Sequence, residues 1–410
     1  MGSKRVPEVR FNGFSEEWQV CKLFEVAEFN PRSSLPEQFR YVDLGSVVGT
    51  NLISYRTELK KTAPSRAQRL AKRGDVFYQM VRPYQKNNFL FDLPYADFVF
   101  STGYAQLRPY GNSYFLLSRL QESRFVSNVL DRSTGTSYPA INSNDLAQIE
   151  ITVPKKEVEQ TQIGNFFKQL DETVTIQQQE LDTLKQTKQG FLQKMFPKEG
   201  EFLPQIRFSG FSGEWEERNF FDNINSIFDF RGRTPKKLGL DWSKSGYLAL
   251  SALNVKNGYI DLNVDAYYGD EELYKKWMGD KILKQGQVLF TTEAPMGNVA
   301  QVPDNKGYIL SQRTIAFEVD DAKITNDFLS ILLRSPTVIN QLYSMSSGGT
   351  AKGVSQKSLS KLKILVPKSL EEQAQIASFF KQLDETIALQ EKELNTLKQT
   401  KKAFLQKMFV

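Results

Sequence analysis

Residues Gln162–Phe196 read QIGNFFKQLDETVTIQQQELDTLKQTKQGFLQKMF, and residues Gln375–Phe409 read QIASFFKQLDETIALQEKELNTLKQTKKAFLQKMF. The two stretches are offset by 213 residues without a gap, and 25 of their 35 paired positions are identical. Neither contains proline, and most of their residues are good helix formers. The repeat therefore predicts two copies of one long helix, each about 52 Å long.

Apolar residues recur in both stretches at alternating spacings of three and four, which is the pattern of a coiled-coil seam. A lone helix of this length would expose its apolar stripe to water, so we expect the two copies to pack together as an antiparallel pair. The alternative is that each helix packs on its own globular domain. Polar residues that break the seam are repeated too, which favours a specified register: they are Gln177 and Lys188, with Gln390 and Lys401. The predicted seam consists of Phe167, Leu170, Val174, Leu181, Leu184 and Phe191, with the counterparts Phe380, Leu383, Ile387, Leu394, Leu397 and Phe404.

A second repeat precedes each long helix. PEVRFNGFSEEW at Pro7–Trp18 matches PQIRFSGFSGEW at Pro204–Trp215, and we call these the leading segments. Strand-like stretches then follow in the same order in both halves: Tyr41–Val47 with Tyr247–Leu253, Arg73–Phe77 with Gln285–Phe290, Phe98–Ser101 with Tyr308–Ser311, and Ile149–Pro154 with Ile364–Pro367. The chain thus consists of two copies of one unit, each with a leading segment, a mixed α/β region of about 150 residues and a long helix.

The repeats predict an α+β protein with a pseudo-two-fold internal repeat. The expected divisions are 1–160 and 201–372 for the two globular regions, 161–200 for the first long helix with its linker, and 373–410 for the second long helix. By the repeat, the leading segment of the first unit takes the place that follows the second helix. If the two halves pack about a pseudo-two-fold axis, we expect the two ends of the chain to lie near each other.

The composition of the 410 residues narrows the classes of function. The chain contains no histidine, which excludes histidine general bases, Ser–His–Asp and Cys–His nucleophile pairs, HNH-type nuclease centres and histidine metal sites. A single cysteine excludes an intramolecular disulfide framework. No apolar run approaches the length needed to span a bilayer, and the N-terminus lacks a signal-peptide core, so we expect a cytoplasmic protein. The net charge of +6 is compatible with a polyanionic partner.

Basic residues suited to phosphate neutralisation occur in both units, interleaved with aromatic residues in the first. The alternative interpretation is a solvated surface. Lys352 follows the stretch SSGGT at 346–350, whose backbone is equally suited to approach a phosphate or to form a plain flexible turn. The candidate DNA-binding residues are Arg56, Lys60, Lys61, Arg66, Arg69, Lys72, Arg82 and Lys86 in the first unit, and Arg231, Arg233, Lys236, Lys237, Lys275, Lys276 and Lys352 in the second.

Catalytic motifs are largely missing. The sequence has no G-x-x-x-x-G-K-[ST] phosphate loop, no glycine-rich S-adenosylmethionine loop after a strand and no Asn-Pro-Pro-aromatic tetrapeptide. Pro303-Asp304 and Asp321-Ala322-Lys323 fit the loose PD…(D/E)xK nuclease pattern, but matches this short arise often by chance. We therefore expect no catalytic residue and no metal site in this chain.

The chain resembles the DNA-specificity subunit of type I restriction-modification systems. The resemblance is carried by the two-unit layout, the PxxRFxGFxxxW leading segments, the FFKQLDET helix and its duplicate, and the RGRTP stretch at Arg231–Pro235. It covers nearly the whole chain and is most specific in the helices. The counterpart of the RGRTP stretch in the first unit, Asn30–Pro36, departs from this pattern, so base-reading roles there do not follow from the resemblance.

This resemblance implies a noncatalytic subunit with two target-recognition domains separated by a coiled-coil spacer of two long antiparallel helices. Each domain would read one half of a split, asymmetric site in double-stranded DNA. The helices would set the gap between the halves and dock two modification subunits, which methylate adenine, and restriction subunits would join them. S-adenosylmethionine, ATP and Mg²⁺ would be bound by those partners and no cofactor by this chain. Two alternatives remain open: a stand-alone nuclease or methyltransferase, and a coiled-coil scaffold that does not bind DNA.

Overall fold

The computed structural model describes residues 5–348 and 352–410. The chain divides into two compact units, Met1–Gln179 with Lys392–Val410, and Glu180–Glu391. Each unit therefore contains one globular region and a part of each long helix. None of the helices in the described ranges is long and apolar enough to cross a membrane.

Strands and helices alternate along the first unit. Its strands are β1 Gln19–Lys22, β2 Ala27–Phe29, β3 Gln38–Val42, β4 Val47–Val48, β5 Asn51–Leu52, β6 Arg56–Leu59, β7 Ala67–Leu70, β8 Val76–Gln79, β9 Phe89–Leu90, β10 Phe98–Ser101, β11 Tyr104–Pro109 and β12 Glu150–Val153. Its α-helices are α1 Ser113–Gln121, α2 Ser123–Asp131, α3 Ser143–Ala147 and the start of α4 Glu157–Lys194, and its 3-10 helices are Leu23–Glu25 and Pro83–Gln85.

The second unit has the same general order of elements. Its strands are β13 Glu216–Asn219, β14 Ile224–Asp229, β15 Tyr247–Leu250, β16 Tyr268–Gly269, β17 Val288–Thr291, β18 Val299–Gln301, β19 Ile309–Leu310, β20 Thr314–Val319 and β21 Lys363–Val366. Its α-helices are α5 Glu271–Met278, α6 Asn326–Leu332, α7 Pro336–Ser344, α8 Gln356–Leu359 and the start of α9 Leu370–Lys407, and its 3-10 helices are Phe220–Asn223 and Pro235–Leu238.

The sheets of the two units follow one plan, which confirms the predicted repeat. In the first unit they have the strand orders β2-β11-β8-β9, β6-β3-β10-β7 and β1-β12. In the second unit the corresponding orders are β14-β20-β17-β18, β16-β15-β19 and β13-β21. β3 pairs with β10 in parallel, and β15 pairs with β19 in parallel, as the matched sequence stretches require. The second unit has no counterpart of β7 in its three-stranded sheet among the residues described.

The two long helices are equivalent in length and position. α4 and α9 each contain 38 residues, and their first and last residues are offset by the same 213 positions as the repeat. Each is about 57 Å long at the usual rise of an α-helix. They begin at Glu157 and Leu370, a few residues before the expected 161 and 373.

Contacts inside each unit show that the helix segments run antiparallel. In the first unit Lys401 forms an ion pair with Asp171, and Lys398 donates to Gln178 Oε1 over 3.1 Å. In the second unit Lys188 forms an ion pair with Asp384, and Lys185 lies 2.6 Å from Glu391. The polar seam lysines thus pair with the aspartate of the opposite FFKQLDET stretch, which explains why both are duplicated.

The predicted seam residues are buried or half-buried, and none of them is exposed. Phe167, Leu181, Phe380 and Leu394 are buried, and the remaining predicted seam residues are half-buried. Near its start, each long helix also packs on its own globular region, as the alternative interpretation predicted. Phe167 belongs to the core of the first unit and Phe380 to that of the second.

The leading segments lie beside the ends of the long helices. Val9 N donates to Lys407 O over 3.0 Å in the first unit, and Ile206 N donates to Lys194 O over 2.9 Å in the second. In the second unit the linker joins the leading segment covalently to the end of α4. In the first unit the leading segment is held beside the end of α9 by noncovalent contacts instead. Described residues near the two ends of the chain, Val9 and Lys407, therefore lie beside each other, as expected.

Candidate nucleic-acid interface

Each leading segment is fixed to the start of a long helix by one buried carboxylate. Arg10 Nε and Nη2 donate to the two oxygens of Glu159 over 2.7 and 2.9 Å, and Trp18 Nε1 donates to the same carboxylate over 3.2 Å. Glu159 is buried. Its charge is tolerated there because the Arg10 guanidinium pairs with it through two hydrogen bonds. The leading segment thus fixes the first globular region on its helix.

The second unit repeats this arrangement. Arg207 donates to Glu372 over 2.7 and 2.8 Å, and Trp215 Nε1 donates to it over 3.2 Å. The arginine and tryptophan of the PxxRFxGFxxxW pattern therefore bind a glutamate in the first turn of each long helix. We call these two groups the carboxylate clamps.

Replacing Glu372 by glutamine is expected to destabilise the second unit by about 3 kcal/mol, because it leaves the Arg207 guanidinium without its counter-charge in a largely buried site. Urea-induced unfolding followed by tryptophan fluorescence measures the change. The matched control is Glu371→Gln, at an exposed carboxylate one residue away, for which a change below about 0.5 kcal/mol is expected. Equal effects of the two substitutions would contradict a stabilising role for the clamp.

The aspartate of each FFKQLDET stretch also holds a side chain of the globular region. Tyr114 Oη donates to Asp171 Oδ2 over 2.8 Å, and Arg334 Nη1 donates to Asp384 Oδ2 over 2.9 Å. Burial, assisted by the Asp171 carboxylate, raises the pKa of Tyr114 far above its usual value. Within each unit these contacts connect the globular region to the part of the helix pair that the unit contains.

The basic residues that cluster between positions 56 and 86 of the first unit lie on different strands and loops. Arg56 lies on β6 and Arg69 on β7, which are the two edge strands of one sheet. Arg82 and Lys86 lie after β8, a strand of the other four-stranded sheet. The predicted residues of the first unit are therefore distributed over two sheets and the loop after β8.

Several of these cations are engaged inside the protein. Arg56 pairs with Asp43 and Glu58, and Lys60 lies 3.7 Å from Glu37. Lys86 Nζ donates to Gln121 O and Ser123 Oγ, and burial lowers its pKa. Arg69 is half-buried with its pKa lowered by burial. Within the described parts of the chain, no hydrogen bond or ion pair engages the side chains of Lys61, Arg66, Lys72 and Arg82.

The second unit shows a similar division. Arg231 pairs with Asp229, Lys275 with Glu271 and Lys276 with Glu272. Arg233 donates to the Trp277 carbonyl, and Lys237 donates to the Gly232 carbonyl. Among the described residues, no hydrogen bond or ion pair engages the side chains of Lys236 and Lys352. The arginines of the RGRTP stretch thus have partners within their own unit, which the resemblance alone did not indicate.

Two loops meet after β8 in the first unit. Residues 80–88 and 133–141 form what we call the first loop pair, joined by Ile141 N to Met80 O at 3.1 Å and by an antiparallel bridge between Val81 and Ala140. The Arg82 guanidinium carbon lies 4.3 Å from the centre of the Tyr138 ring, which is 62 % exposed. Arg82 and Tyr138 are 56 positions apart in sequence, so the pairing could not be found from the chain alone.

The second unit contains the equivalent arrangement. Residues 292–298 lie against residues 345–348 and 352–354, which we call the second loop pair, with Val354 N donating to Thr292 O over 2.9 Å and a bridge between Glu293 and Gly353. Lys352 Nζ lies 5.6 Å from the centre of the exposed Tyr343 ring. The Gly349-Thr350 part of the predicted phosphate loop lies outside the described residues.

In the first unit the cation is Arg82 over Tyr138 of the facing loop, whereas in the second unit it is Lys352 over Tyr343 of α7, so the two pairs do not occupy equivalent positions. Such a pair combines a charge for phosphates or base edges with an aromatic face.

The residues of the nuclease pattern form other contacts. Asp304 accepts from Tyr308 Oη over 2.8 Å and pairs with Lys306, and Lys323 pairs with Asp320. The contacts with Lys306 and Tyr308 hold the pKa of Asp304 at about 2. No group of three or more histidine, cysteine or acidic residues in the described ranges could hold a metal ion.

Known proteins resemble this chain along its length. The type I restriction modification DNA specificity domain matches residues 15–186 and again residues 213–399. The MjaVIII type I restriction enzyme specificity subunit of Methanocaldococcus jannaschii is 25 % identical over 341 residues, which are 82 % of this chain and 73 % of that protein. The HindI specificity subunit of Haemophilus influenzae is 22 % identical over 162 residues, 38 % of this chain and 35 % of that protein.

Solved structures share the fold. The type I restriction-modification S subunit from M. genitalium aligns with a TM-score of 0.65 at 14 % identity, covering 99 % of both chains. A chain from a structure of type I restriction-modification complex assembly and conformational transition aligns with a TM-score of 0.54 at 21 % identity, covering 95 % of this chain and 96 % of that chain. At these identities the likeness concerns the fold.

Proposed function

Because the chain belongs to the family of type I restriction-modification DNA specificity proteins, we propose that it is the noncatalytic subunit that reads a two-part DNA site for such a complex. Each globular region is then a target-recognition domain that reads one half of the site. Adenine methylation, with S-adenosylmethionine, and cleavage, with ATP and Mg²⁺, are carried out by modification and restriction subunits. The two halves of the site differ because the two domains differ.

The observation that carries this proposal is a contrast within the chain. The helix stretches are identical at 25 of 35 positions, whereas the two recognition domains share strand order but present different side chains on equivalent loops. The residue that follows the Val81–Ala140 bridge in the first loop pair is Arg82, and the residue that follows the Glu293–Gly353 bridge in the second is Ala294. A common frame with different loop chemistry suits the reading of two different sequences, since base edges are distinguished by the donors and acceptors that meet them.

The helices have a separate role in this proposal. The two modification subunits bind the duplicated helices, because two equivalent surfaces suit two copies of one partner. The length of the helices sets the gap between the half-sites. Both statements rest on the repeat and the family, and the second is tested by the helix insertion described in the Discussion.

Exchange of one domain tests the proposal. Residues 204–366 are replaced by the same unit of a relative with a known, different target, and the chimera is produced with its modification subunits in a host. Sequencing of methylated adenines is expected to show one changed half-site, with the other half and the gap preserved. The reciprocal exchange of residues 7–153 is the matched control and is expected to change the opposite half.

Two results would contradict the proposal. A change in both half-sites from one exchange would show that recognition is not divided between the domains. Methylation without sequence preference, or assembly without salt-dependent DNA binding, would favour a coiled-coil scaffold that does not bind DNA.

A further inference from the structure

Arg82 has an unusual backbone. Its φ of 55° and ψ of 56° place it in the left-handed region, which residues with a side chain rarely adopt. Its amide donates to Pro139 O over 2.7 Å, and its carbonyl accepts from Gln85 N over 3.0 Å. A non-glycine residue held in this region by surrounding bonds is a feature that clusters at functional sites.

Buried amide side chains hold the loop that carries Arg82 in place. Gln79 Nε2 donates to Val81 O over 2.5 Å and to Gln85 Oε1 over 3.0 Å, and Asn88 Oδ1 accepts from Gln79 N over 2.8 Å. Gln79 and Asn88 are both buried. Lys86, whose ammonium is held by α1 and α2, anchors the far end of the same loop. The position of the Arg82 Cα is therefore set before any ligand arrives.

The Arg82 side chain is held but not neutralised. Its guanidinium lies over the Tyr138 ring, and no hydrogen bond or ion pair engages it in the described ranges. Stacking occupies the face of a guanidinium and leaves the N–H groups along its edge free to donate. A planar edge with two parallel donors matches the O6 and N7 acceptors of guanine in the major groove, the commonest specific contact between arginine and DNA.

We infer that Arg82, oriented by Tyr138, reads a guanine in the half-site of the first recognition domain. This rests on the proposed function and goes beyond it by assigning one base and one side chain. The residue of the second domain that is equivalent to Arg82 is Ala294, which has the same left-handed backbone, with a φ of 52°, but carries no guanidinium. The guanine contact therefore belongs to one half of the site, the half that changes when residues 7–153 are exchanged.

The test uses the full chain assembled with its modification subunits and a DNA library randomised over the first half-site. With Arg82→Gln, preference for guanine is expected to fall by about 10- to 100-fold at one position and to remain at all others. Arg82→Lys is expected to retain only part of that preference, because an ammonium cannot form the two parallel bonds. Arg124→Gln removes an exposed arginine from α2 of the same unit, outside the loop pair, and is expected to leave the preference unchanged.

The remaining outcomes are distinct. Unchanged guanine preference in Arg82→Gln overturns the assignment and leaves the proposed function standing. A loss of binding that is uniform across all sequences, with a shallower salt dependence, identifies a phosphate contact and also overturns it. Retained recognition of the second half-site by Arg82→Gln shows that the variant is folded and assembled. A wild-type complex without any sequence preference would overturn both the assignment and the proposed function.

Discussion

The double variant Leu181→Ala, Leu394→Ala is expected to lower the free energy of unfolding by about 5 kcal/mol. Each leucine is 3 % exposed, and each lies in the seam of the long helices. Removing a buried leucine side chain costs about 2–5 kcal/mol, and the lower part of that range applies where a helix pair can close around the gap. Chemical unfolding of both single variants and the double variant also measures whether the two effects add.

The chain contains its own control for this experiment. Ile176 and Leu389 occupy equivalent positions of the same two helices but are 55 % and 57 % exposed. Ile176→Ala and Leu389→Ala are expected to change stability by less than about 0.5 kcal/mol, because little apolar area is buried there. Equal losses at the exposed and the buried positions would show that the seam does not stabilise the helices.

The helices and their seam could be predicted because a repeat of this length fixes both period and register. One residue was understood only in the structure. Gly164 interrupts good helix formers in the sequence, and a Cβ built there would lie 2.2 Å from Asn112 Oδ1, the cap of α1. The glycine therefore permits close approach of two helices, a requirement that depends on a tertiary contact.

The candidate interface was less predictable than the fold. Net charge along the sequence identifies cations but not their partners, and the partners decide which charges remain available. Arg56 and Arg231 are paired with carboxylates close in sequence, whereas Lys86 is held by α1 and α2. Arg82 appears in the sequence as one basic residue among many. Its left-handed backbone and its contact with Tyr138 become visible only when residues 56 positions apart are brought together.

Lengthening both long helices by four residues is expected to widen the gap between the two half-sites by one or two base pairs. Four helical residues add about 6 Å, and B-DNA rises about 3.4 Å per base pair. The structure indicates where to insert them, since the boundaries of the compact units fall between Gln179 and Glu180 on α4 and between Glu391 and Lys392 on α9. Insertion there leaves the contacts inside each unit in register. Sequencing of methylated adenines in a host that carries the variant and its modification subunits measures the gap.

Rotation distinguishes this insertion from a seven-residue one. Four residues turn the seam by about 40°, whereas a whole heptad turns it by about 20° and adds about 10 Å, or three base pairs. Each added base pair also rotates the second half-site by about 34°. The heptad insertion is therefore expected to retain more helix stability, and the four-residue insertion to require less adjustment of the recognition domains to DNA twist. Four residues inserted after Gly200, in the linker outside both helices, are the control and should leave the gap unchanged. If both helix insertions give the same two half-sites at the original spacing, the length of the helices does not set the gap.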